Sequence, residues 1–334
     1  MTPLRPAQLG GAQAEITDVA TGLARRGHEV QLFCAEGSEV PAVQVVMVPA
    51  PSDAARALVM PGGPPPPPTP GVVAAFESIF KAVRKFGPEV VTQHAFDAPA
   101  FELARGLPVL HTLHLPPLVP AVTKAAAGLP PRSLATVSES CRRSWEAAGV
   151  IVGQVLPNGV ADFEVGEPPV DRAALVAGRL SPEKGVEHAL EAIRLAGLQS
   201  RVAGAQYDPN YVVDLDGAEF LGSVSREELR RVMARSAVTV CAVRWDEPFG
   251  LVAAEAQMAG CPVAAYRRGA MAEVVEEGVG GVLAQPDDIV ALADAIRACL
   301  ALDRRAVKAG AQLRLGLELA LDRYESALTG FNLL

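Results

Sequence analysis

The chain has 334 residues, half of them hydrophobic and a fifth charged, which suits two domains with buried cores. A net charge of −8 argues against the basic face by which nucleic-acid binders meet phosphates. Nothing resembles a signal peptide and no apolar run approaches the roughly 20 residues that cross a bilayer, so a cytoplasmic protein without a transmembrane segment is expected.

In chain order, nine residues without a strand-like run lead to Gly10-Gly11, after which "AQAEITDVATGLARR" has helical spacing of apolar residues and Gly27 reads as its stop. The short buried strand "EVQLFC" follows, then "VQVVMVP". The stretch "PGGPPPPPTP" reads as an extended, polyproline-type surface segment, since proline lacks the backbone donor. A helix over Val72–Lys85 comes next, then "PEVVTQH", a helix before Gly106, "PVLHTLH", "SLATVS", a helix from Glu139 to Ala148 and "GQVLPNG". Strands alternating with helices imply a parallel sheet.

A second series follows the acidic, proline-containing "ADFEVGEPPVD". It runs through "ALVAG", a helix after "SPEKG", "SRVAG", "AEFLGS", "SREELRRVMARS", "VTVCAV", "FGLVAAEAQMAG", "PVAAY" and "GGVLAQ". The expected division is an N-terminal domain over residues 1–165, a C-terminal domain over 166–312, and a final segment, 313–334. That tail, containing "LRLGLELALDRYESAL", reads as one amphipathic helix that packs back toward the N-terminal domain. The five cysteines (Cys34, Cys141, Cys241, Cys261, Cys299) are far apart, lack CxxC spacing and mostly sit in apolar runs, so core packing is expected of them.

Four constellations could carry chemistry. In "AGRLSPEKG", Arg179 and Lys184 flank a turn between a strand end and a helix, where ligands of doubly wound domains bind and where anions are favoured; the alternative is a solvated loop capped by Ser181. In "DEPFGLVAAEAQMAG", Glu247 and Glu255 are eight residues apart, and on one helix they would miss a common face by roughly 80°. Placing Glu247 in the loop and Glu255 inside the helix puts the amides of Phe249, Gly250 and Leu251 at the helix start, ready for phosphate oxygens. Glu255, buried among alanines, then wants hydroxyl partners. His111 and His114, three apart on a strand, point to opposite faces and cannot chelate one metal together. Asp214 and Asp216 form a DxD that could bind metal in a transferase, or be a polar connection.

Together these residues resemble the GT-B glycosyltransferases of family 4, which are retaining and use nucleotide-sugar donors. "GRLSPEKG" is similar to that family's donor-phosphate segment, "EPFGLVAAEAQMAGCPVAAYRRGAMAEVV" to its E-x7-E signature and "LPNGV" to its interdomain segment. The resemblance implies two doubly wound, Rossmann-like α/β domains with an interdomain cleft. It implies transfer of a hexosyl group from a nucleoside-diphosphate sugar, such as a UDP- or GDP-hexose, to an acceptor hydroxyl of unknown identity, with retention and with neither metal nor cofactor. Arg179 and Lys184 would hold the diphosphate, Glu247 the sugar hydroxyls, the backbone of Phe249, Gly250 and Leu251 the sugar and phosphate, and Glu255 the ribose. His114 would face the reacting sugar and Gly10-Gly11 would approach the diphosphate. The alternative is a catalytically inactive, nucleotide-sugar-binding or scaffold protein of the same fold.

Members of that family usually begin with an apolar strand before the glycine loop, so the first N-terminal strand is expected to be missing from this sequence. The arginine-rich, lysine-poor composition, 25 against five, points to a GC-rich genome in which a valine codon is read as a start. Met1 is then expected to stand where that strand ends, and the strand's absence to open a gap in the sheet.

Overall fold

Apolar, β-branched runs separated by helices with one apolar stripe give parallel strands covered by helices on their faces. The computed structural model describes residues 3–4, 11–53, 68–166, 168–206 and 210–331. They form two units, one holding the described residues up to Gly159 and again from Leu317 onward, the other running Val160–Gly316.

The first unit contains α1 (Gly11–Arg25), β1 (Gln31–Ala35), β2 (Gln44–Val48), α2 (Pro70–Phe86), β3 (Val91–Gln93), α3 (Ala98–Leu103), β4 (Val109–Leu113), α4 (Pro120–Ala127), β5 (Leu134–Thr136), α5 (Glu139–Ala147) and β6 (Gln154–Val155). Helix α2 shows why such segments fold locally. Thr69 accepts the Val72 N–H, Gly87 ends the helix in a left-handed conformation, and Val72, Phe76, Ile79, Phe80 and Val83 line one buried stripe. Pro70, expected to belong to the extended proline stretch, is instead the first residue of this helix, where its missing N–H has no partner to lose. The part of that stretch up to residue 67 lies outside the described residues.

All strand pairs of this unit are parallel, but they fall into two sheets, β1-β2 and β3-β4-β5-β6. Phe33 of β1 and Val48 of β2 nevertheless pack with Val109, Leu113 and Leu134 in one hydrophobic core. In doubly wound order the strand expected ahead of Gly10-Gly11 would stand between β1 and β3, and pairing is interrupted there among the described residues. Residues 5–10 lie outside them. Leu4 is buried; its N–H donates to Ser38 Oγ at 2.9 Å and its carbonyl accepts the Glu39 N–H at 2.7 Å.

The second unit contains β7 (Ala173–Ala177), α6 (Val186–Ala196), β8 (Gln199–Ala203), β9 (Glu219–Gly222), α7 (Arg226–Arg235), β10 (Val238–Cys241), α8 (Leu251–Met258), β11 (Val263–Tyr266), α9 (Met271–Val274), β12 (Gly281–Ala284), α10 (Ile289–Cys299) and α11 (Arg304–Leu315). Its described strands form one parallel sheet in the order β12-β11-β10-β7-β8-β9. The order reverses between β7 and β10, which makes their carboxyl ends the switch point at which such sheets bind ligands. β10 and β11 are buried along their whole length, as strands covered on both faces must be.

The tail expected as one helix from 313 to 328 is two. α11 stops at Leu315, Gly316 is extended, and α12 (Leu317–Thr329) restarts in the first unit. Glycine is a poor helix former, while the apolar period continues on both sides and hides the break. At this break Leu315 accepts the Val160 N–H at 2.8 Å. α12 lies against α1: Arg26 reaches Glu318, Asp322 and Glu325 at 2.6, 2.8 and 2.5 Å, and Leu321 covers Gly22 so closely that a Cβ there would sit 2.5 Å from Leu321 Cδ1.

Leu321 is fully buried, so Leu321→Ala should destabilise the protein by about 2–5 kcal/mol in urea unfolding. Adding Gly22→Ala to that variant should restore part of the loss, because the new methyl enters the space vacated. A double variant no more stable than the single one would show that this contact does not hold α12.

Candidate functional site

The site is built where β7 and β10 end. After Ala177 the chain turns through Arg179 and a single 3-10 turn, Pro182–Lys184, into α6. Gly185 makes the turn possible. It has φ +62°, and a Cβ on it would lie 2.0 Å from the Ala242 carbonyl oxygen just past β10. Only glycine lets the two strand ends come this close. The Arg244 N–H then donates to the Glu183 carbonyl at 2.8 Å.

Across this contact Lys184 Nζ meets Glu247 Oε2 at 2.7 Å, and the Trp245 indole N–H donates to the same oxygen at 2.8 Å. Lys184 Nζ also lies 5.5 Å from the centroid of the Trp245 ring, within cation–π range. Gly269, at φ +57°, lies under the loop; a Cβ there would be 2.3 Å from Glu247 N, and the following Ala270 N–H donates to the Glu247 carbonyl at 2.9 Å. Arg179 pairs with Glu183 at 3.3 Å. Ser181 does not cap the helix as the alternative reading had it; its hydroxyl donates to Glu183 Oε1 at 2.7 Å.

Phe249 and Gly250 are buried and Leu251 partly so. Leu251 opens α8 with Gly250 as its cap residue and no side-chain cap bond, so the first-turn amides are placed for an anion. Glu255 is buried in α8 as expected, but its partners are not hydroxyls. Arg226 Nε meets its Oε1 at 2.5 Å and Arg230 approaches the same oxygen at 3.6 Å. A carboxylate inside an alanine-rich helix needs compensating charge, and residues four apart on α7 supply it.

In the first unit, Gly11 is the exposed first residue of α1, and Gly10 lies outside the described residues. His114 directly follows β4 and is buried. Its Nε2 is 2.8 Å from His94 Nδ1. Burial draws the His114 imidazole down to about 4. His111 points to the other face and stacks on Phe101 with ring centroids 4.8 Å apart. Its Nδ1 is buried without a hydrogen-bond partner among the described residues, and burial draws it down to about 4 as well.

Asp214 Oδ1 accepts the Asp216 backbone N–H at 2.9 Å in an exposed connection. Among the described residues no three His, Cys, Asp or Glu side chains gather as a metal site requires. None of the five cysteines forms a disulfide, and all but Cys34 are buried. Burial first, and then the Glu247 carboxylate, push Cys241 up to about 12.

The structure brings Lys184 and Glu247 into contact, and it adds residues that reading the chain did not single out: Glu183, Trp245, Arg226, Arg230 and His94. Glu183 and Trp245 sit inside the motifs already quoted. The arginines gave one usable signal, a four-residue spacing on a helix that must cover a buried acid.

With this geometry in place, comparisons give a consistent result. A family profile described as "Glycosyltransferase Family 4" matches residues 9–162, and one described as "Glycosyl transferases group 1" matches residues 161–314. The chain is 29% identical over 370 residues to the D-inositol 3-phosphate glycosyltransferase of Xylanimonas cellulosilytica, covering 91% of this chain and 87% of that protein. The enzyme of the same name from Mycolicibacterium smegmatis is 29% identical over 367 residues, covering 91% and 82%. Among solved structures, Anabaena HepE in complex with UDP and glucose superposes with a TM-score of 0.75 at 19% identity, over 97% of each chain.

A histidine held neutral by burial binds its proton more weakly folded than unfolded. Its contribution to stability is therefore complete above the ordinary value of 6.5 and is lost as pH falls toward about 4. His111→Phe keeps an aromatic face on Phe101 and removes this titration. Its thermal midpoint should fall less between pH 6.5 and 4.5 than that of the unaltered protein, and equal falls would assign the acid sensitivity to other groups.

Proposed function

Because the chain belongs to the glycosyltransferases of family 4, with the GT-B fold, we propose that it moves a hexosyl group from a nucleoside-diphosphate sugar to an acceptor hydroxyl, with retention and without a metal ion. The observation that carries this reading is the Lys184–Glu247 contact at the β7/β10 switch point, 2.7 Å long, beside the uncapped start of α8. A cation, a carboxylate and helix-start amides that no side chain caps together suit a sugar diphosphate: amides and cation for the phosphates, carboxylate for sugar hydroxyls.

In this mechanism the anomeric C–O bond to the diphosphate breaks while the acceptor oxygen attacks from the same face. The acceptor proton passes to the departing phosphate oxygen. Arg179, Lys184 and the amides of Phe249, Gly250 and Leu251 stabilise charge accumulating on the diphosphate, which is the part of the reaction that electrostatics can accelerate most. Glu247 accepts hydrogen bonds from the transferred sugar, held in place by Lys184 and Trp245. Glu255, oriented by Arg226 and Arg230, takes the ribose hydroxyls. His114 supplies a hydrogen-bonding nitrogen to the sugar, and Gly10-Gly11 the backbone near the diphosphate. HepE was solved with UDP and glucose, which supports UDP-glucose as the first donor to assay; the acceptor is assigned only as a hydroxyl.

UDP or GDP should raise the thermal midpoint in the presence of EDTA, and Lys184→Ala should abolish the gain. A panel of nucleotide sugars should reveal slow donor hydrolysis, which a purely binding protein would not catalyse. No shift with either nucleotide and no hydrolysis of any donor would overturn the proposal.

A further inference from the structure

β3 and β4 pair in parallel with Gln93 beside His111. His94 therefore lies beside Thr112, and His114, two residues farther, shares that face. The two imidazoles meet there. Their centroids are 5.1 Å apart with the ring planes 27° from parallel, and the rings meet edge to edge, His94 Nδ1 2.8 Å from His114 Nε2. His94 Nε2 in turn is 3.0 Å from the Thr92 hydroxyl, and the Tyr324 ring lies 6.2 Å from that of His94. Three polar groups thus form one hydrogen-bonded row, Thr92, His94, His114.

We propose that His94 is a positioning residue for sugar transfer: its Nδ1 contact fixes the ring orientation and the tautomer of His114, so that His114 meets the sugar through Nδ1 in a single protonation form. This rests on the reading of His114 as a sugar-binding residue. A hydrogen bond between two neutral imidazoles needs one N–H and one bare nitrogen. The proton's place on one ring therefore dictates its place on the other. With Thr92 accepting from His94 Nε2–H, His94 Nδ1 is bare and accepts from His114 Nε2–H. His114 Nδ1 is then an acceptor, which suits a sugar hydroxyl.

Burial keeps both rings neutral, His94 well below its ordinary value through desolvation first and His114 second. A role confined to filling space would be served by an apolar ring, without taking two more nitrogens out of water.

The test combines imidazole 15N–1H correlation spectra with donor kinetics. The unaltered protein should show His114 protonated on Nε2 alone. His94→Phe keeps an aromatic ring but lacks the nitrogen; His114 should become a mixture of tautomers, with kcat reduced about tenfold, the equivalent of one lost hydrogen bond, and donor KM changed less than threefold. His94→Asn, whose amide can stand where Nδ1 stood, should recover part of kcat, and Thr92→Val should loosen the tautomer with a smaller loss. A folded His94→Phe with an unchanged His114 spectrum and kcat overturns the proposal, as does a kcat loss that Asn does not relieve. Unchanged turnover in His114→Ala, with the spectra as expected, overturns instead the sugar-binding role of His114.

Discussion

The approach of the turn at Gly185 to the backbone at Ala242 governs the candidate site. Two strand ends with ordinary side chains could not come within 2.0 Å of a would-be Cβ, so Lys184 and Glu247, on separate βα connections, would stand too far apart to share a proton-bearing contact. With glycine there, one lysine, one carboxylate and one indole meet at a single oxygen. The rest of the candidate site in the second unit follows. Glu183 anchors the turn through its carbonyl and receives Ser181 and Arg179 through its side chain, while Gly269 leaves room for the backbone of the loop carrying Glu247.

A second constraint is charge in places without water. Leaving a buried carboxylate alone is far more costly than pairing it, so each buried acid near the site has a neighbour. Glu183 has Arg179, and Glu255 has Arg226 and Arg230. Arg230 also lies 4.1 Å over the Phe163 ring, which lets one guanidinium serve a carboxylate and an aromatic face together. This arrangement fixes the orientation of the Glu255 carboxylate.

In the first unit the alternation of a strand separates two histidines that look equivalent on paper. His111 goes to the core against Phe101, His114 to the opposite face with His94. α12, the last described helix, supplies Tyr324 to that face; its hydroxyl donates to Thr112 Oγ1 at 3.5 Å. Burial, and after it the Glu15 carboxylate, keep this phenol protonated. Glu15 also accepts the Gly159 N–H at 3.3 Å, so α1, β4, α12 and the "LPNG" segment converge on one buried polar cluster.

Much of this was legible from residue order because it rests on short-range rules. Alternating apolar runs and helical stripes determined the parallel α/β architecture, the motifs around Arg179, Lys184 and Glu247 marked residues that stand together where β7 and β10 end, and the period of two separated His111 from His114. The helix break at Gly316 was not legible, since the apolar period runs through it and only the extended backbone there interrupts it. Pro70 likewise reads as part of a proline run until its cap, Thr69, is seen to start a helix. Contacts between distant segments were decided by tertiary structure alone: Arg226 and Arg230 on Glu255, Trp245 on the Lys184–Glu247 pair, and His94 on His114. Local sequence encodes which face a side chain takes, but which neighbour it meets depends on strand order and register, and these are settled only when the sheet assembles.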